Sequence, residues 1–385
     1  MLKRIFQNKQ GQARGIDLMA AMILFLLVMT QMTFFTVEQI QDSGSQAITF
    51  NQSSAARVIA DGLLSSPGYP EKWETLSRIS FPNDFVIGLS GTKYGEVDAA
   101  KIGRLYLESP VNWRLSYNDL VIQGRQVFNE WDMEVKFYPI IKVEITKAAF
   151  TTATSTTIDV SGIITYNSYP AQNIDVYITA VGNPNQLGSK TDIIVTTDNN
   201  GQFSTTLTGT SQNIYVVGII AYLSEELQGS AWAQVTRPGE TAPTEVTSIV
   251  THSSTSSTIL PEEMIIMDHS VSAVTASTHW IIYLTKQVLY IHSYDGSLDA
   301  AGTEWRANFN LPPNGLALIV SFGRQVQTGT DNIVSYSVRN YPQPITGSEV
   351  TALTPLVTSP EKYTFTRAVY SRGVILILEV SIWQK

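Results

Sequence analysis

Residues Leu18–Val37 read LMAAMILFLLVMTQMTFFTV, an apolar run of 20 positions without a charge. A helix of that length rises about 30 Å, enough to cross the hydrocarbon core of a bilayer. Only Thr30, Gln31, Thr33 and Thr36 interrupt it with polar groups, and threonine hydroxyls can bond back onto helix carbonyls. Residues 1–16 carry Lys3, Arg4, Lys9 and Arg14 and no acid. Bases on a short flank keep that side in the cytoplasm, so the sequence predicts a single-pass chain with its N-terminus inside and its C-terminus outside. No second run of comparable length follows, and the next, Gly373–Val380, is too short to span. The composition suits an exported body. Charged residues make up 15% of the 385 and the net charge is −8, so nucleic acid, which demands a basic face, is not an expected partner. The chain has no cysteine, which excludes disulfides, Cys-ligated zinc, iron–sulfur clusters and thiol nucleophiles.

A secretory signal peptide has a shorter apolar stretch, followed by a small-x-small cleavage site. Thr33-Phe34-Phe35 through Glu38 offers none, so cleavage after the apolar run is not expected. The small residues lie before it, in Gly11-Gln12-Ala13-Arg14-Gly15-Ile16. That arrangement resembles the class III signal peptides of archaeal type IV pilin-like proteins. The resemblance implies a prepilin-type peptidase that cuts on the cytoplasmic side, and an apolar helix retained as membrane anchor or filament core. Two junctions fit, Gly15–Ile16 and Gly11–Gln12. The acid that the family carries at the fifth mature position is missing in both registers, where Asp17 becomes residue two or residue six. An uncleaved anchor is the alternative. Asp17 at the helix start meets the dipole and the unpaired first-turn amides; in the family an early acid pairs with a neighbouring chain's terminal amine. On the family reading the membrane and assembly helix includes Asp17, Leu18, Phe25 and Phe34, and its partners are identical or related pilin-like subunits.

The helical pattern continues past the membrane. Ile40, Gly44, Ala47, Ile48, Ala55, Val58, Ile59, Gly62 and Leu63 fall near helical spacing and give one apolar stripe. Ser65-Ser66-Pro67-Gly68 stops it. Asn51-Gln52-Ser53 is an N-glycosylation sequon. Downstream lie Leu64-Ser65-Ser66-Pro67-Gly68-Tyr69-Pro70 with Trp73, then Val86-Ile87-Gly88-Leu89, then Asp98-Ala99-Ala100-Lys101-Ile102. This series is similar to a group of archaeal pilin-like, membrane-anchored proteins, over residues 12–140. Pro67 and Gly68 reverse the chain, Gly88 permits a close strand approach, and Asp98 caps a short helix near Lys101–Tyr106. Arg367–Gly373 followed by alternating Val374, Leu376, Leu378, Val380 and Ile382 resembles the closing hairpin of the same proteins, which would make the middle of the chain an insertion into the head.

That middle reads as short strands with turn signals every 8–12 residues: Val160–Thr165, Ile174–Ile178, an Asn200-Gly201 turn before Phe203, and Ile214–Ile220. It resembles Ig-like or carboxypeptidase-regulatory-like modules, which serve as spacers or adhesive units. Between Thr244 and Thr258, ten of 15 residues are Ser or Thr, the composition of a flexible linker. Alternation then resumes at Ile281/Tyr283, Leu316/Leu318/Val320/Phe322 and Val334/Tyr336/Val338, and a second β-sandwich is expected.

The expected fold class is mainly β with one long N-terminal helix. Residues 1–15 form a basic leader, 16–64 a membrane and stalk helix, and 65–145 a small α+β head. An Ig-like sandwich follows over 146–238, a linker over 239–262 and a C-terminal β domain over 263–385, which either stands alone or completes the head. No reaction is legible. His252 falls in the Ser/Thr linker, and Asp268-His269-Ser270 places triad residue types on alternate faces. His279 and His292 could meet across a hairpin, but packing beside Trp280 is the simpler role. Asp192 and Asp198 read as turn chemistry. No cofactor, metal or catalytic residue is expected, and the chain reads as a structural surface protein or, alternatively, a non-polymerising adhesin or receptor that binds glycans or proteins.

Overall fold

The computed structural model describes Met29 and most of residues 54–384; within that span 78–79, 83, 92–94, 106–109, 111, 116–130, 184–189, 254–261, 268–278, 286–288, 294–296, 299–303, 328–329 and 343–361 lie outside the description. The expected membrane and stalk helix therefore falls outside the described residues except at Met29 and at its end. Residues 54–65 are helical (α1) and bury Ala56, Ile59, Ala60 and Leu63 along one stripe, the spacing that a 3.6-residue turn dictates. No described helix is long and apolar enough to cross a membrane.

The chain reverses after α1. Gly68 has φ +85°, and a Cβ there would stand 2.5 Å from the Val86 carbonyl, so only glycine fits. It opens β1 (Gly68–Tyr69), which pairs antiparallel with β2 (Val86–Ile87). Trp73, fully buried, begins a 3-10 turn, Trp73–Thr75, and its indole donates to the Gly88 carbonyl at 3.0 Å. Asp98 then caps α2 (Ala99–Arg104) by accepting from the Ala100 and Lys101 amides. β3 spans Trp131–Pro139.

The Ig-like module begins almost at once with β4 (Ile141–Phe150) and β5 (Thr157–Tyr166), joined across the polar turn at 151–156. β6 (Tyr169–Pro170), β7 (Asp175–Val181), β8 (Lys190–Thr196), β9 (Gln202–Thr208), β10 (Ile214–Tyr222) and β11 (Gln228–Thr236) complete it. β4, β5, β6 and β9 make one sheet, with β5 central, and the other runs β11-β10-β7-β8. This is the face-to-face arrangement of an immunoglobulin-like sandwich. Its apolar core includes Val143, Ile158, Val160, Ile164, Val176, Ile178, Phe203, Leu207, Tyr215, Val217 and Ile219. The predicted strands at 160–165 and 214–220 fall inside β5 and β10, and that at 174–178 falls inside β7 but for Ile174.

The described part of the expected linker, residues 239–253, is folded. β12 (Thr244–Glu245) and β13 (Thr247–His252) lie inside it, and Ser248, Thr251 and Ser253 are buried. Serine and threonine are as much at home in strands as in linkers once their hydroxyls find partners: Ser248 Oγ bonds Ser337 Oγ, and Thr251 Oγ1 donates 2.6 Å to the Glu74 carbonyl. β14 (Glu262–Met267), β15 (His279–Leu284), β16 (Leu289–Ser293), β17 (Ser297–Leu298), β18 (Trp305–Phe309), β19 (Ala317–Gln327) and β20 (Thr330–Tyr341) follow. They form a second sandwich from a β12-β20-β19-β15-β16 sheet and a β13-β14-β18-β17 sheet. Val246, Val250, Met264, Ile266, Trp305, Phe309, Ile319 and Tyr341 fill its core, with Ala99 of α2 packed against them.

The two sandwiches are not strung apart. Leu318, Val320, Phe322, Tyr336 and Val338 project from the far face of the β19–β20 sheet onto Val181, Val216 and Ile220 of the Ig-like module. β10 is thus buried on both faces, which explains why it reads as a near-continuous apolar run rather than an alternation, and β19 is buried over Ala317–Gly323. Gly218 lets them approach, since a Cβ there would lie 2.6 Å from Leu284 Cδ1. On the opposite side Trp113 covers Ile249 and Ile265 of the second sandwich. The chain closes with β21 (Tyr363–Ser371) and β22 (Val374–Gln384), and β22 pairs antiparallel along the whole of β3.

Candidate functional site

The residues singled out from the sequence for processing and assembly, Gly11, Gln12, Gly15, Ile16, Asp17, Leu18, Phe25 and Phe34, lie outside the described residues, as does the sequon at Asn51. His269 lies outside them too, and the register places His292 opposite Ile281, not opposite His279.

The described residues bring together a different set. α2 plugs one end of the second sandwich, where β13 finishes at His252 and β14 begins at Glu262, paired in register. Asp98, the α2 cap, faces His252 there, with Nε2 3.1 Å from Oδ2 and 3.2 Å from Oδ1. Glu74, from the 3-10 turn, completes a trio whose ligating atoms lie within 4.8 Å of one another. Glu74 is 2% exposed, and its Oε2 has no hydrogen-bond partner. Lys101 Nζ stands 3.9 Å away, beyond hydrogen-bond reach, and donates instead to the carbonyls of Pro67 and Ser90 at 2.8 and 3.1 Å. His252 Nδ1 and the hydroxyl of Tyr341, itself 1% exposed, are also buried without a hydrogen-bond partner. Glu262, adjacent, is held by Arg372 at 2.9 Å.

The electrostatics follow from burial and from this crowding. Burial, with the Asp98 charge beside it, pushes the Glu74 carboxyl up to about 7. Burial would raise Asp98 as well, but the charge and hydrogen bond of His252, with Lys101, hold it below the usual carboxylate value. Burial would lower His252, but Asp98 and Glu74 hold it above the usual imidazole value. Burial and the Glu262 and Asp98 charges push the Tyr341 phenol well up. The arrangement can share protons or hold a cation.

Sequence reasoning placed Asp98 correctly as a cap but left His252 in a linker and passed over Glu74. The usable signal was Ile249-Val250, apolar on adjacent positions and so a strand covered on both faces, followed by the apolar Met264-Ile265-Ile266.

No family model matches the chain, and no curated protein matches it. Solved structures with some likeness include the FN1–FN3 domains of chicken CNTN1, at 12% identity and TM-score 0.20 over 54% of this chain and 68% of that one. The D0–D1 domain of intimin gives 10% identity and TM-score 0.22 over 54% of this chain and 99% of that one. A calcium-stabilised adhesin with which an Antarctic bacterium binds ice gives 13% and 0.18 over 54% and 49%. At such scores the likeness carries no argument about this chain. Its description as a protein of stacked β-sandwiches rests on its own strand pairing.

Proposed function

We propose that this chain is a structural cell-surface protein of the pilin-like group. It is anchored, or polymerised, through its N-terminal apolar helix, and its β modules stand outside the cell. The single observation that carries the reading is the uncharged Leu18–Val37 run behind a purely basic leader with small residues at Gly11 and Gly15. An acidic, cysteine-free body rich in Ser and Thr supports export. The partners on this reading are the membrane, a prepilin-type peptidase and related subunits. Its work is mechanical display, with no reaction.

A second reading has its own support. The missing acid at the fifth mature position favours a single-span adhesin or receptor that never polymerises. The mature N-terminus, measured by mass spectrometry on protein from native membranes, separates the two. A terminus at Ile16 or Gln12 is expected on the pilin-like reading. A terminus at Met1 or Leu2 rejects processing by a prepilin-type peptidase and leaves the plain anchor.

A further inference from the structure

We propose that Glu74, Asp98 and His252 form a binding site for one divalent transition-metal ion, zinc by the chemistry of its donors, at the end of the second sandwich that α2 plugs. One imidazole nitrogen and two carboxylate oxygens are a borderline-soft donor set that suits zinc better than the all-oxygen cages of calcium or magnesium. Their mutual spread of at most 4.8 Å is within reach of one ion. Zinc bonds of roughly 2.0–2.2 Å put neighbouring donors about 3.3 Å apart. Asp98 Oδ2 and His252 Nε2 already stand at 3.1 Å, so rotation of the Glu74 side chain completes the trio.

Two observations point to a bound ion. The first is the unmet demand of buried atoms. Glu74 Oε2 has no hydrogen-bond partner, and neither does the hydroxyl of Tyr341, which lies in the field of both Asp98 and Glu74. Buried polar atoms left in this way are costly, and each calls for an occupant. The second is the convergence of three ligand-type side chains from separate segments on one point, where Lys101, the cation beside them, reaches Glu74 Oε2 only at 3.9 Å and hydrogen-bonds the Pro67 and Ser90 carbonyls instead. Glu262 is already matched by Arg372. A divalent ion satisfies both carboxylates at once and leaves its fourth position to water.

The site joins three segments far apart in the chain: the 3-10 turn after the stalk helix, the α2 cap and the end of β13. Its occupant would fasten the head to the second sandwich.

The test uses the full-length protein in detergent, stripped with a chelator and dialysed, with zinc chloride alone as the probe. Metal content after gel filtration and the zinc-induced change in Tm are the readouts. About one zinc per chain and a rise in Tm are expected. Retention should fall at least about tenfold in Glu74→Gln and His252→Gln, since even outer-shell changes at metal sites cost 10–100-fold. Asp98→Asn keeps the helix cap, because asparagine caps as well as aspartate, and should lose zinc while circular dichroism stays native. Cobalt substituted for zinc should give a visible spectrum that these variants abolish. If wild type retains no more zinc than Glu74→Gln, or zinc leaves its Tm unchanged, the proposal is overturned, and water or a shared proton fills the site.

Discussion

The two sandwiches solve the same packing problem with different materials. The Ig-like module clusters aliphatic and aromatic side chains between its sheets, with Ser204, Thr206 and Thr208 facing outward and a few polar groups such as Thr197 and Ser230 buried around the core. The second sandwich buries Ser248, Thr251, Ser321, Ser335, Ser337, Arg339 and Asn340 within and around its sheets. Many of these are matched. Ser248 meets Ser337, Arg339 Nε donates to the Ser248 carbonyl at 2.9 Å, and Ser230 of β11 reaches Asn340 at 2.8 Å. Non-directional burial tolerates exchange of one apolar group for another. Paired polar groups do not, because removing one partner strands the other in a medium that cannot solvate it. The first module is therefore expected to be robust and the second specific.

The apolar layer between the sandwiches offers the hardest test of that contrast. Phe322, fully buried there, is expected to cost about 3–5 kcal/mol on change to Ala. Chemical denaturation followed by two probes, one in each sandwich, should show both transitions moving together. Movement in the second sandwich alone would mean that the shared layer does not couple them. Gly218→Val comes next. Its added carbons meet Leu284 and Leu318, and overpacking of this kind costs roughly 1–3 kcal/mol. A neutral result would show that the two sheets have room to part. Ser337→Ala should cost about 1–3 kcal/mol by orphaning Ser248, whereas the Ser248→Ala/Ser337→Ala double variant should recover much of the loss. Without that recovery the polar layer would not differ in kind from the apolar one. The smallest effect is expected on the outer face of the Ig-like module. There Lys147 and Asp159 pair at 2.9 Å with Lys147 more than half exposed, and Lys147→Ala should shift the denaturation midpoint by about 0.5 kcal/mol or less.

Legibility in the sequence follows the same divide. Strands with one wet face announce themselves by alternation: β5 reads TIDVSGIITY, with Ile158, Val160, Gly162 and Ile164 inward. The loop Asp198–Gly201, where Asp198 Oδ1 accepts from the Asn200 and Gln202 amides, was readable as turn chemistry. β13 was masked by its composition, with only Ile249-Val250 to mark it. Its Ser and Thr are the residues of a linker, and what folds them is a set of partners 89 and 177 positions away, Ser337 and Glu74. The Glu74–Asp98–His252 cluster was hidden for the same reason. No spacing within the chain relates a 3-10 turn, a helix cap and a strand end that meet only after the sheets have stacked.

The pairing of β3 with β22 has a mechanical meaning. The chain leaves β3 at Pro139 and enters β4 at Ile141, so a pull on the Ig-like module reaches the end of β3. Where that pull runs along β3 and is resisted from the Gln384 end of β22, their ladder is loaded in shear and its hydrogen bonds share the load at once instead of parting one by one as a zipper would. β22 would then act as a clasp on the strand that leads into the Ig-like module.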